Sequence, residues 1–225
     1  MAAPKLKAFY VGLGALAVVG GGAIYLASAG AGGAARAVPI AAMAGDTAAM
    51  PGYVLGSDSA PVRVDEYADF QCPYCGRFAV VTMPDVVERL IRTGRVRWRF
   101  HDRPLEGHAK SLPAHQAAAC AGEQGKFWEM HDQLYYNQNA WVEARNTEKK
   151  LREYAQKIAL DLPGYDACVR SNRYLSRLMA SARRASEQGI NSTPTFVIGT
   201  TKVENAIGYD QLKAVIDSLS PPKKS

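Results

Sequence analysis

The longest unbroken hydrophobic stretch comes first. From Ala8 to Ala35 the chain carries no charge, and Phe9–Ala29 is a run of Ala, Val, Gly, Leu, Ile and aromatic residues with a single serine. Twenty-one residues are enough to cross a bilayer as a helix. Lys5 and Lys7 precede the run and no charge follows closely, so the amino end is expected to stay in the cytoplasm and the rest to be exported. A second reading stays open, because Ala27-Ser28-Ala29 has the small-x-small form of a signal-peptide cleavage site. Gly12-Leu13-Gly14-Ala15-Leu16-Ala17 has the letters of a dinucleotide-binding loop, but no strand precedes it, and Ala17 and Gly21 form a small-xxx-small pair. Residues 34–56 are rich in Ala, Gly and Pro without apolar periodicity, and read as a flexible tether.

Beyond the tether the period changes to two. Pro61-Val62-Arg63-Val64-Asp65-Glu66-Tyr67 alternates like a strand, and Val96, Trp98 and Phe100 alternate with arginines in a second one at Arg95–His101. Between them a helical period places Phe78, Val81, Val86, Val87, Leu90 and Ile91 on one apolar side, with Pro84 as a kink and Thr93-Gly94 as the stop. Amphipathic helices are expected at about 108–121, 126–136, 147–160 and 172–187, broken at Gly125, Asn137–Asn139 and Leu162-Pro163-Gly164. Phe127, Trp128, Tyr135 and Trp141 are assigned to the core of these helices. A final buried strand follows Gly189 and carries Pro194 near its start, where a proline marks an edge, a bulge or a cis bond.

Composition narrows the class. With 225 residues, 48% of them hydrophobic, the chain is neither disordered nor a disulfide miniprotein. The net charge of +6 sits mostly at the ends: Lys5, Lys7, Arg36, Lys223 and Lys224 lie outside residues 53–218, where acidic residues nearly balance basic ones. A phosphate-binding face is therefore not expected, and no nucleic-acid partner is assigned.

The chemistry is carried by Cys72-Pro73-Tyr74-Cys75 at the junction of the first strand and its helix. A cysteine at a helix start faces unpaired backbone N–H groups and the positive end of the helix dipole, which stabilise a thiolate. Cys72 is thus the expected nucleophile, and Cys75, one turn deeper, the expected resolving thiol. Pro73 suits the first turn, where its missing N–H has no partner to lose. Haem attachment would require His at position 76, which is Gly, and a zinc site would require two more ligands at short spacing. His101, His108 and His115 recur every seven residues, with His131 apart, and are assigned to the surface or an interface rather than to a metal. The Lys149-Lys150 and Arg183-Arg184 pairs are read as solvated faces.

Three separated segments in order, Glu66–Cys75, Ala118–Trp128 and Gly189–Phe196, resemble the thioredoxin superfamily and, within it, the DsbA-like thiol:disulfide oxidoreductases of bacterial cell envelopes. The likeness spans residues 53–218. It implies an α/β thioredoxin fold with a helical domain, about 105–188, inserted between its halves. It further implies a cis Thr193–Pro194 bond beside the Cys72–Cys75 pair and a buried acid at Glu66 that exchanges a proton with Cys75. Cys120 and Cys168 fall on separate helices of the insertion. As an even pair in an exported protein they are expected to form a disulfide, as in some DsbA-like proteins; an electron relay and two buried thiols are the other readings.

The resemblance implies a membrane-tethered, periplasmic enzyme that introduces disulfides into thiol-containing exported proteins. A quinone-linked DsbB-like or VKOR-like membrane partner would reoxidise it. No organic cofactor is required, because the cysteines carry the electrons. Pro73-Tyr74 differs from the Pro-His of the strongest oxidants and Thr193 occurs in isomerase-like members, so a reductase or isomerase is the alternative. A non-enzymatic module delivering metal or partner proteins through Cys72 and Cys75 is a further one.

Overall fold

Val62–Ala68 and Val96–Asp102 form the parallel centre of a six-stranded sheet, and almost every residue of both strands is buried. The computed structural model describes residues 37–39 and 52–219. In chain order the strands are β1 Ala37–Pro39, β2 Tyr53–Leu55, β3 Val62–Ala68, β4 Val96–Asp102, β5 Thr195–Ile198 and β6 Thr201–Glu204. Their order across the sheet is β1-β6-β5-β3-β4-β2, and every neighbouring pair other than β3–β4 is antiparallel. β1 and β2 correct the expected tether over residues 34–56, since three-residue edge strands are too short to show a period and are fixed by pairing with β6 and β4.

The helix after β3, α1, runs over residues 73–91 and alternates α turns (Pro73–Arg77, Met83–Val86) with π turns (Phe78–Thr82, Val87–Ile91). Each π turn adds a residue to the repeat and so rotates the next stretch of helix about its axis. This corrects the expected apolar side: Val81 is 66% exposed and Val87 only half-buried, while Thr82 and Met83 take the inward positions. The first π turn also accommodates Pro84, because the Met83 N–H bonds back to the Phe78 carbonyl five residues earlier. Phe78 remains inward, stacked on Trp98 and tilted against Phe196, which fastens α1 to one face of the sheet.

Between β4 and β5 lie the helices α2 Ser111–Glu123, α3 Phe127–Tyr136, α4 Gln138–Val142, α5 Thr147–Lys157, α6 Leu162–Arg170 and α7 Leu175–Glu187. α8, Tyr209–Leu219, follows β6 and packs against α1 and β5. The expected break at Leu162-Pro163-Gly164 is instead the first turn of α6. Asp161 caps it by accepting the Gly164 N–H at 2.8 Å, and proline is tolerated there because the first N–H groups have no intrahelical partner. α7 covers the opposite face of the sheet, where Ala185 and Ile190 pack on Tyr67 and Val197.

The insertion is stapled. Cys120 on α2 and Cys168 on α6 are joined by a disulfide across 48 residues. Phe127, Tyr135 and Trp141 are buried in the same apolar cluster, and Trp128 is partly buried against it. Among the described residues no helix is long and apolar enough to cross a membrane; the candidate span Phe9–Ala29, the lookalike loop at Gly12 and the Ala17/Gly21 pair lie outside them.

Candidate active site

Cys72 is the residue immediately before α1, in extended conformation, with Pro73 in the first turn. Its N–H donates to the Asp69 carbonyl at 3.0 Å and its carbonyl accepts the Gly76 N–H at 3.0 Å. The sulfur therefore sits over the open end of the helix, as the spacing predicts. As a thiol it donates to the Thr193 carbonyl at 3.3 Å, and the Thr193–Pro194 bond is cis. The carboxyl-terminal loop thus reaches the amino-terminal cysteine, 121 residues away in sequence.

The two thiols of the described Cys72–Cys75 pair are free and unequal. Cys72 is held down to about 6 from an ordinary 9: the Cys75 thiol donates to it, and Thr193 and the backbone N–H groups of Cys75 and Tyr74 add to the effect against the opposing cost of burial. Cys75 moves the other way, well above the ordinary thiol value, because it is fully buried and because its bond to Cys72 and the neighbouring negative charge favour the protonated form. The two sulfurs are thus held in opposite senses, Cys72 toward the thiolate and Cys75 toward the thiol. Tyr74, between them, is 61% exposed on the rim.

Glu66 is fully buried on the central strand β3, between β4 and β5, and its carboxylate accepts the Trp98 Nε1–H at 2.9 Å. Burial pushes its carboxyl up to about 7, with the Trp98 bond acting the other way. Its charge acts on Cys75. The residues that sequence singled out are therefore brought to one place: Glu66 below, Cys72 and Cys75 at the helix start, Thr193 and Pro194 beside them. Cys120 and Cys168 are bonded to each other and take no part in exchange while that bond stands.

Sequence reasoning missed the supports of this site. Gln138, in the patch read only as a break, donates through Nε2 to the carbonyls of Phe70 (2.7 Å) and Cys72 (2.9 Å). Asp69, quoted only as part of a motif, is buried; it accepts the N–H of Gln71 at 2.7 Å and of Leu105 at 2.8 Å, and lies 2.8 Å from His108 Nδ1. With the Gln71 side chain accepting the Lys110 N–H, these bonds clamp the loop at 103–110 onto the turn preceding Cys72. A short polar residue three positions before the cysteine was the available signal.

The histidines also differ from expectation. His101, His115 and His131 are buried rather than at a surface, and each faces a carboxylate: Asp65 at 2.6 Å, Asp102 at 2.7 Å and Asp132 at 2.9 Å respectively. An imidazole is tolerated inside when a carboxylate satisfies one nitrogen, and those partners are 36 and 13 residues away for His101 and His115. Among the described residues no cluster of three or more His, Cys, Asp or Glu is arranged to hold a metal ion.

A cysteine immediately before a helix, a buried thiol one turn on, a buried acid on the central strand and a cis-proline loop against the sulfur together define a dithiol site on a thioredoxin-like fold. Residues 49–218 match the family model described as Thioredoxin, and the chain belongs to that family. It is similar in fold to the crystal structures of Wolbachia pipientis alpha-DsbA1 (TM-score 0.68, 22% identity, covering 76% of this chain and 94% of that one) and of oxidised BdbD from Bacillus subtilis (TM-score 0.64, 23% identity, 74% and 91%). In sequence it is 29% identical to the "Probable disulfide bond formation protein D" of Bacillus anthracis over 72% of this chain and 76% of that protein. It is 35% identical, over 74% of its length, to a Na(+)/H(+) antiporter NhaA 3 of Salinispora tropica. The chain spans about a quarter of the length of the antiporters it matches.

Proposed function

We propose that this chain oxidises thiols in exported proteins, with Cys72–Cys75 as the electron-carrying disulfide and no organic cofactor. The observation that carries the direction is the inequality of the two sulfurs. A fold that stabilises the Cys72 thiolate stabilises the reduced protein, and a stabilised reduced form makes its disulfide a stronger oxidant. The likeness to a disulfide bond formation protein supports the same direction.

The reaction runs in two exchanges. A substrate thiolate attacks Cys72 Sγ, the Cys72–Cys75 bond breaks, and Cys75 leaves with the electron pair and takes up a proton, for which Glu66 is the buried source. The substrate's second thiolate then attacks its own sulfur in the mixed disulfide and releases Cys72 as a thiolate. Two electrons have passed to the pair and the substrate holds a disulfide; in the reduced chain the Cys72 thiol donates to the Thr193 carbonyl. A quinone-linked DsbB-like or VKOR-like membrane partner then returns the pair to the oxidised state. The amino-terminal apolar segment, as an anchor, places the domain on the periplasmic face.

The test is stoichiometric. Oxidised full-length chain mixed with an excess of a reduced dithiol peptide should yield one peptide disulfide per chain and two alkylatable thiols at Cys72 and Cys75, and Cys72→Ser should yield none. A peptide that stays reduced, with a chain that instead reduces disulfide-bonded peptide, supports the reductase or isomerase reading.

A further inference from the structure

We propose that Lys110 is a positioning residue for the nucleophile: it closes a ring of hydrogen bonds that leaves the active-site turn at Gln71 and returns to it at Cys72. The proposal rests on the dithiol-exchange reading above and adds to it a residue that acts through Gln138.

Each link of the ring is a contact at hydrogen-bond distance. The Gln71 side chain accepts the Lys110 N–H at 2.7 Å. The Lys110 ammonium donates to the carbonyls of Val142 at 2.5 Å and Ala144 at 2.7 Å, at the carboxyl end of α4. α4 carries the path back to its first residue, Gln138, whose amide donates to the carbonyls of Phe70 and Cys72 on either side of Gln71. One lysine thus ties the loop at 103–110 to the far end of the helix that holds Cys72.

α4 needs such a tie. It is five residues long, well below the length at which a helix is stable by itself in water, and its amino end has no side-chain cap. Trp141 anchors it, fully buried and donating to the Leu134 carbonyl at 2.8 Å. Beyond Trp141 the last carbonyls have no partner within the helix, and an ammonium suits them because it meets the negative end of the peptide dipoles with charge-assisted bonds. Without Lys110 that end is free to fray, and Gln138 loses one of the two supports that keep it in register with Cys72.

The register matters to the sulfur. Cys72 is extended immediately before α1, which sets its thiol 3.3 Å from the Thr193 carbonyl and near the N–H groups of Tyr74 and Cys75. A turn released from Gln138 gives up part of that arrangement, and the thiolate loses stabilisation with it. Lys126 supplies the comparison. It also donates to two carbonyls at a helix end, Ile158 at 2.8 Å and Ala159 at 3.0 Å, but those bonds join the start of α3 to the end of α5 and lead to neither Gln71 nor Gln138.

The experiment is the pH profile of Cys72 alkylation by iodoacetamide in the reduced full-length chain. It compares wild type, Lys110→Met, Lys126→Met, Gln138→Ala and the double variant Lys110→Met/Gln138→Ala. Lys110→Met should move the Cys72 inflection alkaline by about 0.7 pH unit, about a fivefold change in acid dissociation and the size of one ordinary hydrogen bond. Lys126→Met should lose urea stability and keep the wild-type inflection. In the Gln138→Ala background Lys110→Met should add no further shift, whereas a direct effect of the lost charge would persist there. Lys110→Gln, one atom shorter and uncharged, is the second variant should Lys110→Met fail to fold, and should shift the same way. A wild-type inflection in the Lys110 variant, an equal shift in Lys126→Met, or a shift additive with Gln138→Ala overturns the proposal. Alkylation needs only free thiols, so a wild-type chain whose Cys72 and Cys75 stay reduced in oxidised glutathione overturns the exchange reading and not the positioning role.

Discussion

Gly76 and Gln138 share one space: a Cβ at Gly76 would lie 2.6 Å from Gln138 Oε1. Gln138 uses its amide to hold the carbonyls of Phe70 and Cys72, so the residue after the second cysteine is glycine because the glutamine that secures the first one lies against it. Gly76→Ala should cost about 1 kcal/mol or more in urea unfolding, because displacing Gln138 breaks two hydrogen bonds worth about 1 kcal/mol each against a helix-propensity gain of about 1 kcal/mol. In a Gln138→Ala background the same substitution should become stabilising by roughly 0.5–1 kcal/mol. Additive effects in the double-mutant cycle would show that the two residues do not oppose each other.

Glu66 sets a pH dependence of stability. Its carboxyl stands near 7 in the fold against an ordinary 4.5, so between those values the native chain keeps a proton that the unfolded chain has lost. Stability therefore falls as pH rises through that window, by about 3 kcal/mol in all. Glu66→Gln, whose amide oxygen still accepts from Trp98, should match wild type at pH 4 and exceed it at pH 8. The comparison belongs in the oxidised protein, where the cysteines do not titrate; equal slopes in the two proteins would refute the assignment.

Cys72 acts with the opposite sign. Its value is depressed in the fold, so the stabilisation it gives the reduced chain is complete above about 9 and is lost as pH falls through 6. The urea midpoint of reduced protein should rise relative to that of oxidised protein as pH is raised from 5 to 9. Alkylation of Cys72 by iodoacetamide should show an inflection near pH 6, well below that of Cys75.

Cys120 and Cys168 are bonded to each other across 48 residues of the insertion. Replacing Cys120 and Cys168 together by serine should lower stability by about 4 kcal/mol, the chain-entropy value for a closed loop of this length. Dithiol exchange at 25 °C should persist. Loss of exchange in a folded double variant would assign the pair an electron-relay role.

The chemistry was legible in the sequence because its parts are local. A period-two strand running into Cys72, a proline in the first turn and Gly76 in place of histidine are all read within a dozen residues. What escaped depends on contacts between distant segments or on a backbone repeat that apolar spacing does not encode. The π turns in α1 turned Val81 outward and Thr82 and Met83 inward. His101 and His115 became interior residues through Asp65 and Asp102, which no spacing rule pairs with them. Gln138 reaches the site only because the insertion folds back over it, and Pro163-Gly164 looked like a break until Asp161 is recognised as the cap of α6.

The most direct test of the account is the equilibrium between the Cys72–Cys75 pair and a glutathione redox buffer at pH 7, with both cysteines counted by alkylation and mass. The potential should be clearly more oxidising than the roughly −270 mV of thioredoxin, toward the roughly −120 mV of DsbA. A potential at or below the thioredoxin value would contradict it.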